Sequence, residues 1–282
     1  MSTRRTAFFV SDSTCITAQH LGRALLTQFE FLDFHQQSLR FVNTAERAQQ
    51  AAQRIDQVAT RDGLKPLVFA TLIDPELRHT VRSAQCVYFD LFETFVERME
   101  EELGTSSVAT LGHSHGMHDR DHYFERMDAI NFTLNHDDGS AVTQLERAEI
   151  ILVGISRTGK TPTCLYLSLH YGVRAANFPI TEDELDELSL PPVLAPHRDR
   201  LFGLTTDPVR LQHIRNERLP NSRYASMRQC EYETRQSEAL YRKLGIPYLV
   251  TTMVSIEEIA ATIVDKAGLE RNRVARLGPP AH

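Results

Sequence analysis

One stretch of the sequence, "ILVGISRTGKTPTCLYLSLHYGV" at 151–173, holds the residues with the clearest chemical potential. It has the GxxxxGKT spacing of a phosphate-binding loop, with an apolar strand-like run before it and a helix-like run after it, as this motif requires. Backbone N–H groups of such a loop surround an anion, and the helix adds the positive end of its dipole. The pattern predicts a phosphate-binding set of residues: Gly154, Ile155, Ser156, Arg157, Thr158, Gly159, Lys160 and Thr161.

Three side chains of this loop are predicted to act on bound phosphates. Lys160 reaches the terminal phosphates, and the hydroxyl of Thr161 ligates Mg²⁺. Arg157 is a planar cation with several donors and is a candidate contact for the group being transferred, with a plain exposed arginine as the alternative. Lys160 and Arg157 are therefore candidate catalytic residues, and Thr161 is the candidate metal ligand.

Phosphoryl transfer also requires an acid that holds the metal through water and a base that activates the acceptor. The sequence "HDDG" at 136–139 supplies Asp137 and Asp138 shortly before the loop strand. We predict that this pair is catalytic, with either aspartate open to either role, and a plain polar turn is the alternative. Asp207 and Asp12, each of which follows an apolar run, are the next candidates.

The elements that must position these residues alternate between strand-like and helix-like patterns. Short apolar runs and amphipathic segments alternate over 7–103 and again around the phosphate loop, which favours parallel sheets with crossover helices. The sequence therefore predicts an α/β fold. In "ITAQHLGRALLTQF" the helical spacing of apolar residues predicts a helix that lies on the first sheet through Ile16, Leu21, Ala24, Leu25 and Phe29.

The length of 282 residues favours two domains, because single cores stop growing at roughly 250–300 residues. The apolar pattern lapses in the Gly/Ser/His-rich stretch "GTSSVATLGHSHGMHDR", and we place the boundary near residue 110. This gives an N-terminal parallel α/β domain at 1–110 and a C-terminal P-loop kinase-like α/β catalytic domain at 111–282. His113, His115 and His118 in this stretch are candidate metal ligands, but their spacing fits no standard zinc pattern and a polar linker is favoured.

Composition excludes several classes of function. The net charge of −6 comes without a basic stripe, which argues against a nucleic-acid partner. The four cysteines are far apart and form no CxxC pair, which fits a reducing cytosol. The apolar run near the N-terminus is too short for a signal peptide, and no run approaches the roughly 20 residues of a membrane span. We predict a cytoplasmic protein without a membrane segment.

The loop "GISRTGKTPT" and several other blocks together resemble one family. The blocks cover nearly the whole chain in this order: "FFVSDST" with "ITAQHLGRALLTQF", "INFTLNHDDG", "YGVRAANFPI", "LFGLTTDPVRL", "NSRYASMRQC" and "SIEEIA". They are similar to the bifunctional kinase and pyrophosphorylase family that regulates pyruvate phosphate dikinase and phosphoenolpyruvate synthase, and most similar to its bacterial branch, which acts on phosphoenolpyruvate synthase. The chain departs from the family at two places: Cys15 stands where the first block usually has glycine, and Gln19 with His20 replaces a more usual acidic-containing pair.

The resemblance implies an ADP-dependent protein serine/threonine kinase. In this family the β-phosphoryl group of ADP goes to a threonine of the target, which is inactivated, and AMP is released. The same protein removes that phosphate with inorganic phosphate as acceptor and releases pyrophosphate. The expected ligands are therefore ADP, inorganic phosphate and Mg²⁺, and the expected partner is phosphoenolpyruvate synthase. The sequence is compatible with a homodimer.

Two other functions remain open on the residues alone. An ATP-dependent small-molecule kinase would use the same loop without a protein acceptor. A non-catalytic adenine-nucleotide sensor would bind ADP or AMP and change a partner by contact. Transfer of label to a protein acceptor separates both from the kinase that the resemblance implies.

Overall fold

The computed structural model describes residues 5–107, 120–139 and 143–269, with the backbone alone for 120–123. The chain divides into two compact units, Met1–His118 and Asp119–His282. The boundary predicted near residue 110 lies outside the described residues, as do the three candidate metal-binding histidines of the same stretch.

The N-terminal unit contains a four-stranded parallel sheet in the order β2-β1-β3-β4. Side chains of a strand alternate between its two faces, so β1 contributes to a separate buried apolar cluster on each face of the sheet. The elements are β1 Arg5–Ser11, α1 Ile16–Leu26, β2 Phe34–Leu39, α2 Ala45–Asp62, β3 Leu67–Thr71, α3 Pro75–Arg82, β4 Val87–Asp90 and α4 Glu93–Leu103.

Helix α1 presents a different face to the sheet from the one predicted. The five apolar residues of that prediction, Ile16, Leu21, Ala24, Leu25 and Phe29, are all exposed. The buried residues are Ala18, Gly22 and Leu26, which recur every four residues. A Cβ atom on Gly22 would lie 2.4 Å from the Phe9 ring, so the helix approaches β1 closely through its small residues. The spacing of large residues therefore predicted the wrong face.

The residue before α1 has a backbone conformation that suits glycine. Cys15 has a φ of 69°, in the left-handed region that is costly for residues with a Cβ atom. Glycine would adopt this conformation without that cost. In this chain the cysteine side chain is buried against the first sheet, in the same cluster as Ala18 and Phe9.

The C-terminal unit contains a second four-stranded parallel sheet, in the order β6-β5-β7-β8. Two parallel sheets with crossover helices confirm the predicted α/β fold. The elements are α5 Arg120–Asn135, β5 Ile150–Gly154, α6 Lys160–Tyr166, β6 Ala175–Pro179, α7 Glu182–Glu187, β7 Leu201–Thr205, α8 Pro208–Arg218, α9 Met227–Leu244, β8 Tyr248–Val250 and α10 Ile256–Ala267, with short 3₁₀ turns at 145–147, 192–200 and 223–225 and a π-helical turn at 167–171.

The strand before the phosphate loop is fixed at the centre of this sheet. All five residues of β5 are buried, and α9 supports the strand through the fully buried Tyr241. The Tyr241 hydroxyl donates towards the carbonyls of Val153 and Leu204 at 3.1 and 3.3 Å. Gly203 makes room for the tyrosine ring, since a Cβ atom there would lie 2.8 Å from it. The Tyr241 side chain therefore fixes the carboxyl end of β5 against β7.

None of the helices in the described parts of the chain is long and apolar enough to cross a membrane.

Candidate functional site

The predicted phosphate loop connects the end of β5 to the start of α6. Strand β5 ends at Gly154 and helix α6 begins at Lys160, as the motif requires. Gly154 must be glycine because a Cβ atom would lie 2.5 Å from the Leu204 carbonyl oxygen. Gly159 has a φ of 91°, which permits the sharp turn into the helix. Local geometry therefore explains both glycines of the motif.

Side chains of the same unit fix the carbonyl groups of the loop. The Ile155 carbonyl accepts hydrogen bonds from Lys160 Nζ and Thr158 Oγ1, both at 3.0 Å. The Thr158 carbonyl accepts from Thr251 Oγ1 at 3.2 Å, at the end of β8. An anion is bound by the N–H groups of such a loop and repelled by its carbonyl oxygens. These hydrogen bonds engage two of those carbonyl oxygens with protein donors.

Lys160 is a buried cation. Lys160 is only 5% exposed. Within the described part of the chain, its ammonium group makes one hydrogen bond, which goes to the neutral Ile155 carbonyl. Burial lowers the pKa of Lys160 to about 8; nearby Asp138 and Asp137 oppose the shift and Arg215 adds to it. An ammonium group with this environment gains much from an anion beside it, because the anion favours its charged form.

Asp137 lies directly against the loop. Its Oδ1 accepts a hydrogen bond from the hydroxyl of Thr161 at 2.9 Å and one from the amide of Asn177 at 2.6 Å. The same amide nitrogen lies 2.9 Å from Thr161 Oγ1 and 3.2 Å from Asp138 Oδ1. The two aspartates of "HDDG" and the threonine of the motif thus surround one buried asparagine.

Backbone pairing brings "HDDG" to this position. The Asn177 N–H donates to the His136 carbonyl and the Gly139 N–H donates to the Asn177 carbonyl, both at 3.0 Å, so the turn extends along β6. His136 is buried, and its ring nitrogens lie 2.7 and 2.8 Å from the carbonyl oxygens of Phe132 and Thr143. The histidine therefore anchors the turn, while Asp138 is exposed with a φ of 50°.

The other predicted residues lie apart from this group. The side chain of Arg157 is exposed and makes no hydrogen bond or ion pair with the described residues, so it is free to meet a ligand. Asp207 accepts from the N–H groups of Val209 and Arg210 and caps α8. Asp12 belongs to the N-terminal unit, where it accepts from a backbone N–H and burial raises the pKa of its carboxyl group.

The oxygen donors around Asn177, in the middle of β6, fit a hard cation. The Asp137 carboxylate and the Thr161 hydroxyl lie beside Asn177, whose Oδ1 is buried without a hydrogen-bond partner. Mg²⁺ prefers carboxylate, hydroxyl and phosphate oxygens. Among the residues with described positions, no three His, Cys, Asp or Glu side chains cluster in a way that could hold a metal. A cation at this position would therefore be held by Asp137, Thr161 and Asn177 together with the phosphate oxygens of a ligand.

Sequence reasoning missed Asn177, Arg215 and Thr251. Asn177 could have been noticed as a lone polar residue within the apolar strand β6. Arg215 is one of several arginines in α8, so nothing in the pattern distinguishes it from its exposed neighbours. Thr251 follows β8 and reaches the loop only because β8 lies next to β7 in the sheet.

Known proteins are similar to this chain over most of its length. The profile of a family described as Kinase/pyrophosphorylase matches residues 7–264. A protein of Hahella chejuensis is 49% identical over 95% of this chain and 99% of its own length, and one of Laribacter hongkongensis is 48% identical over 96% and 99%. A protein of Bordetella avium is 49% identical over 96% and 98%. Each of the three carries the name "Putative phosphoenolpyruvate synthase regulatory protein".

Proposed function

This chain belongs to the kinase/pyrophosphorylase family, and we propose that it regulates phosphoenolpyruvate synthase by reversible phosphorylation of a threonine. The names of its relatives support the target. The observation that carries the chemistry is the contact of Asp137 with Thr161, beside the buried cation Lys160. Such a set of groups is suited to stabilising and transferring a phosphoryl group.

In the proposed forward reaction the donor is ADP. The threonine oxygen of the target attacks the β-phosphorus, and the bond from that phosphorus to the bridging oxygen breaks. AMP leaves with the electron pair, and the proton of the threonine goes to a carboxylate of this chain. The target is then a phosphothreonine protein and inactive.

The proposed dephosphorylation is a second reaction, in which the acceptor is inorganic phosphate and not AMP. A phosphate oxygen attacks the phosphorus of the phosphothreonine, and the bond from that phosphorus to the threonine oxygen breaks. The threonine oxygen takes a proton, and pyrophosphate is released. The loop serves both directions because ADP and pyrophosphate both present a diphosphate to it.

The proposed roles follow from exposure and contacts. Asp138 is exposed and thus open to a protein acceptor, so it exchanges the proton with the threonine oxygen. Lys160 and Arg157 stabilise negative charge on the transferred group. Asp137 and Thr161 are the residues that would hold Mg²⁺, which when bound neutralises phosphate charge and orients the diphosphate.

The deciding experiment follows label from the donor. Phosphoenolpyruvate synthase is incubated with this protein and with either β-labelled ADP or γ-labelled ATP. We expect label on a threonine of the synthase from ADP alone, and labelled pyrophosphate after addition of unlabelled phosphate. A Lys160→Met variant that stays folded under the assay conditions is the control and should transfer no label. Equal transfer from ATP, or turnover of small metabolites without a protein acceptor, would favour an ordinary P-loop kinase.

A further inference from the structure

Arg215 of α8 is a buried cation to which the roles proposed above give no function. Arg215 is 0% exposed, and its Nη2 atom donates to Glu233 Oε2 at 2.6 Å. Gln229 donates to the other oxygen of Glu233 at 2.9 Å, so the ion pair is completed by a further hydrogen bond. A buried ion pair is weak evidence for stability, since apolar replacements of the same volume are often as stable. Stability alone therefore does not explain why an arginine is buried at position 215.

The same guanidinium group is bonded to the phosphate loop. Arg215 Nη2 donates to the Ser156 carbonyl at 3.1 Å, and Nη1 donates to the Tyr224 carbonyl at 3.1 Å. The guanidinium carbon lies 4.2 Å from the centre of the Tyr224 ring. The Tyr224 hydroxyl in turn lies 2.9 Å from Ser156 Oγ. Ser156 is thus held through both its main chain and its side chain.

The residue that follows Ser156, Arg157, has a strained backbone conformation. Arg157 has a φ of 75°, a left-handed conformation that non-glycine residues keep only where surrounding contacts determine it. The Ser156 carbonyl and the Arg157 N–H belong to one planar peptide and point in opposite directions. A hydrogen bond that fixes the carbonyl therefore also fixes the direction of the N–H.

We propose that Arg215 and Tyr224 are positioning residues that hold the Ser156–Arg157 peptide with its N–H ready to bind a phosphate. The inference rests on the proposed function, because it requires that the loop bind phosphate. Neither side chain has to touch the substrate. A purely structural role would instead lower stability and leave phosphate affinity in the folded protein unchanged.

Two conservative variants of the full chain test this inference by calorimetric titration with pyrophosphate and with ADP. Arg215→Lys keeps the charge opposite Glu233, but one ammonium group replaces the planar fork that reaches two carbonyls. We expect its Kd for pyrophosphate to rise about tenfold. Tyr224→Phe removes only the hydroxyl at Ser156, and we expect about a threefold rise.

Arg78→Lys is the matched control. Arg78 of the N-terminal unit also pairs with a carboxylate, Asp90, and donates to two backbone carbonyls, those of Leu72 and Ile73. Its replacement should lower the melting temperature and leave the Kd for pyrophosphate unchanged. Melting curves of all variants separate loss of fold from loss of affinity.

A double-mutant cycle with Arg157→Gly addresses the strained residue directly. Glycine adopts a positive φ without the steric cost, so a loop with glycine at 157 depends less on its supports. The fold-change caused by Tyr224→Phe should therefore be smaller in the Arg157→Gly background. A purely structural role predicts that Tyr224→Phe leaves the Kd for pyrophosphate unchanged in both backgrounds.

Unchanged pyrophosphate affinity in folded Arg215→Lys and Tyr224→Phe, with normal binding by the wild type, overturns the inference and leaves the proposed function standing. A wild-type protein that binds neither pyrophosphate nor ADP overturns both together. If Arg215→Lys does not fold, Tyr224→Phe and the cycle decide the matter.

Discussion

At the scale of single residues, the two aspartates of "HDDG" differ in their surroundings. Asp137 contacts Thr161 of the loop, whereas Asp138 is exposed and its carboxylate, among the described residues, has only the longer contact with Asn177. The kinase reaction needs a base to deprotonate the threonine, whereas in the dephosphorylation the attacking phosphate is already an anion and an acid is needed only for the leaving threonine oxygen. This difference between the two directions can separate the roles of the two carboxylates.

We predict that Asp137→Asn slows both reactions by similar factors and that Asp138→Asn slows the kinase reaction more than the phosphorylase reaction. Each effect should exceed about tenfold, or some 1.4 kcal/mol of barrier. Both rates are measured at saturating Mg²⁺. Asp128→Asn, which alters an exposed ion pair with Arg147 in the same unit, is the control and should leave both rates unchanged. If neither substitution in "HDDG" slows either reaction, the segment is only a turn.

Lys160 gives a second prediction, on the pH dependence of stability. Burial lowers its pKa from 10.5 to about 8, so between these values the unfolded chain binds more protons than the folded protein. The contribution of Lys160 to stability therefore rises with pH across this window and is least favourable below pH 8. Lys160→Met lacks this contribution.

Urea unfolding of the ligand-free protein and of Lys160→Met measures the effect. The free energy of unfolding of the wild type, relative to the variant, should increase by roughly 2–3 kcal/mol between pH 7.5 and pH 10. The comparison removes the effects of other groups that titrate in this range. If the difference in free energy of unfolding between wild type and Lys160→Met stays constant with pH, the Lys160 ammonium group is solvated in the ligand-free protein.

At the scale of elements, much of what positions the site was predictable. The strand, loop and helix of the phosphate loop follow from its spacing, because glycines and apolar runs determine local structure. The position of Asn177 beside "HDDG" depends on pairing of the turn with β6, which is not a local property of the sequence. The contacts of Arg215 with Ser156 and Glu233 likewise join distant segments. The face of α1 was predicted wrongly because Gly22, not a large residue, marks the closest approach to the sheet.

Helix α8 provides a prediction about an element. Asp207, a candidate metal holder by sequence, accepts from two N–H groups at the start of α8. Asp207→Ala should therefore lower the free energy of unfolding by about 1 kcal/mol, whereas Asp207→Asn, which also caps helices well, should have little effect. Denaturant unfolding of both variants provides the measurement. A loss of kinase activity beyond tenfold in a stable Asp207→Asn variant would instead return this residue to the catalytic candidates.

At the scale of the whole molecule, the chain consists of two units that each contain their own sheet and apolar clusters on both of its faces. Length and alternating patterns were enough to predict two α/β halves. Asp137, Asn177, Arg215 and Thr251, which form the described contacts with the phosphate loop, come from the C-terminal unit. We therefore expect this unit to supply the proposed recognition of a diphosphate by itself.

We predict that a fragment comprising residues 119–282 folds and binds pyrophosphate with a Kd within about threefold of the full chain, since a threefold change is only about 0.7 kcal/mol. The physical reason is that a compact unit with its own core can fold independently, and the described contacts of the loop are internal to it. Circular dichroism and a cooperative melting curve establish folding, and calorimetric titration gives the Kd. The same fragment with Lys160→Met is the matched control and should bind at least tenfold more weakly, because the buried ammonium group is lost. A folded fragment that fails to bind pyrophosphate, alongside a full chain that binds it, would show that the N-terminal unit contributes groups to the phosphate site.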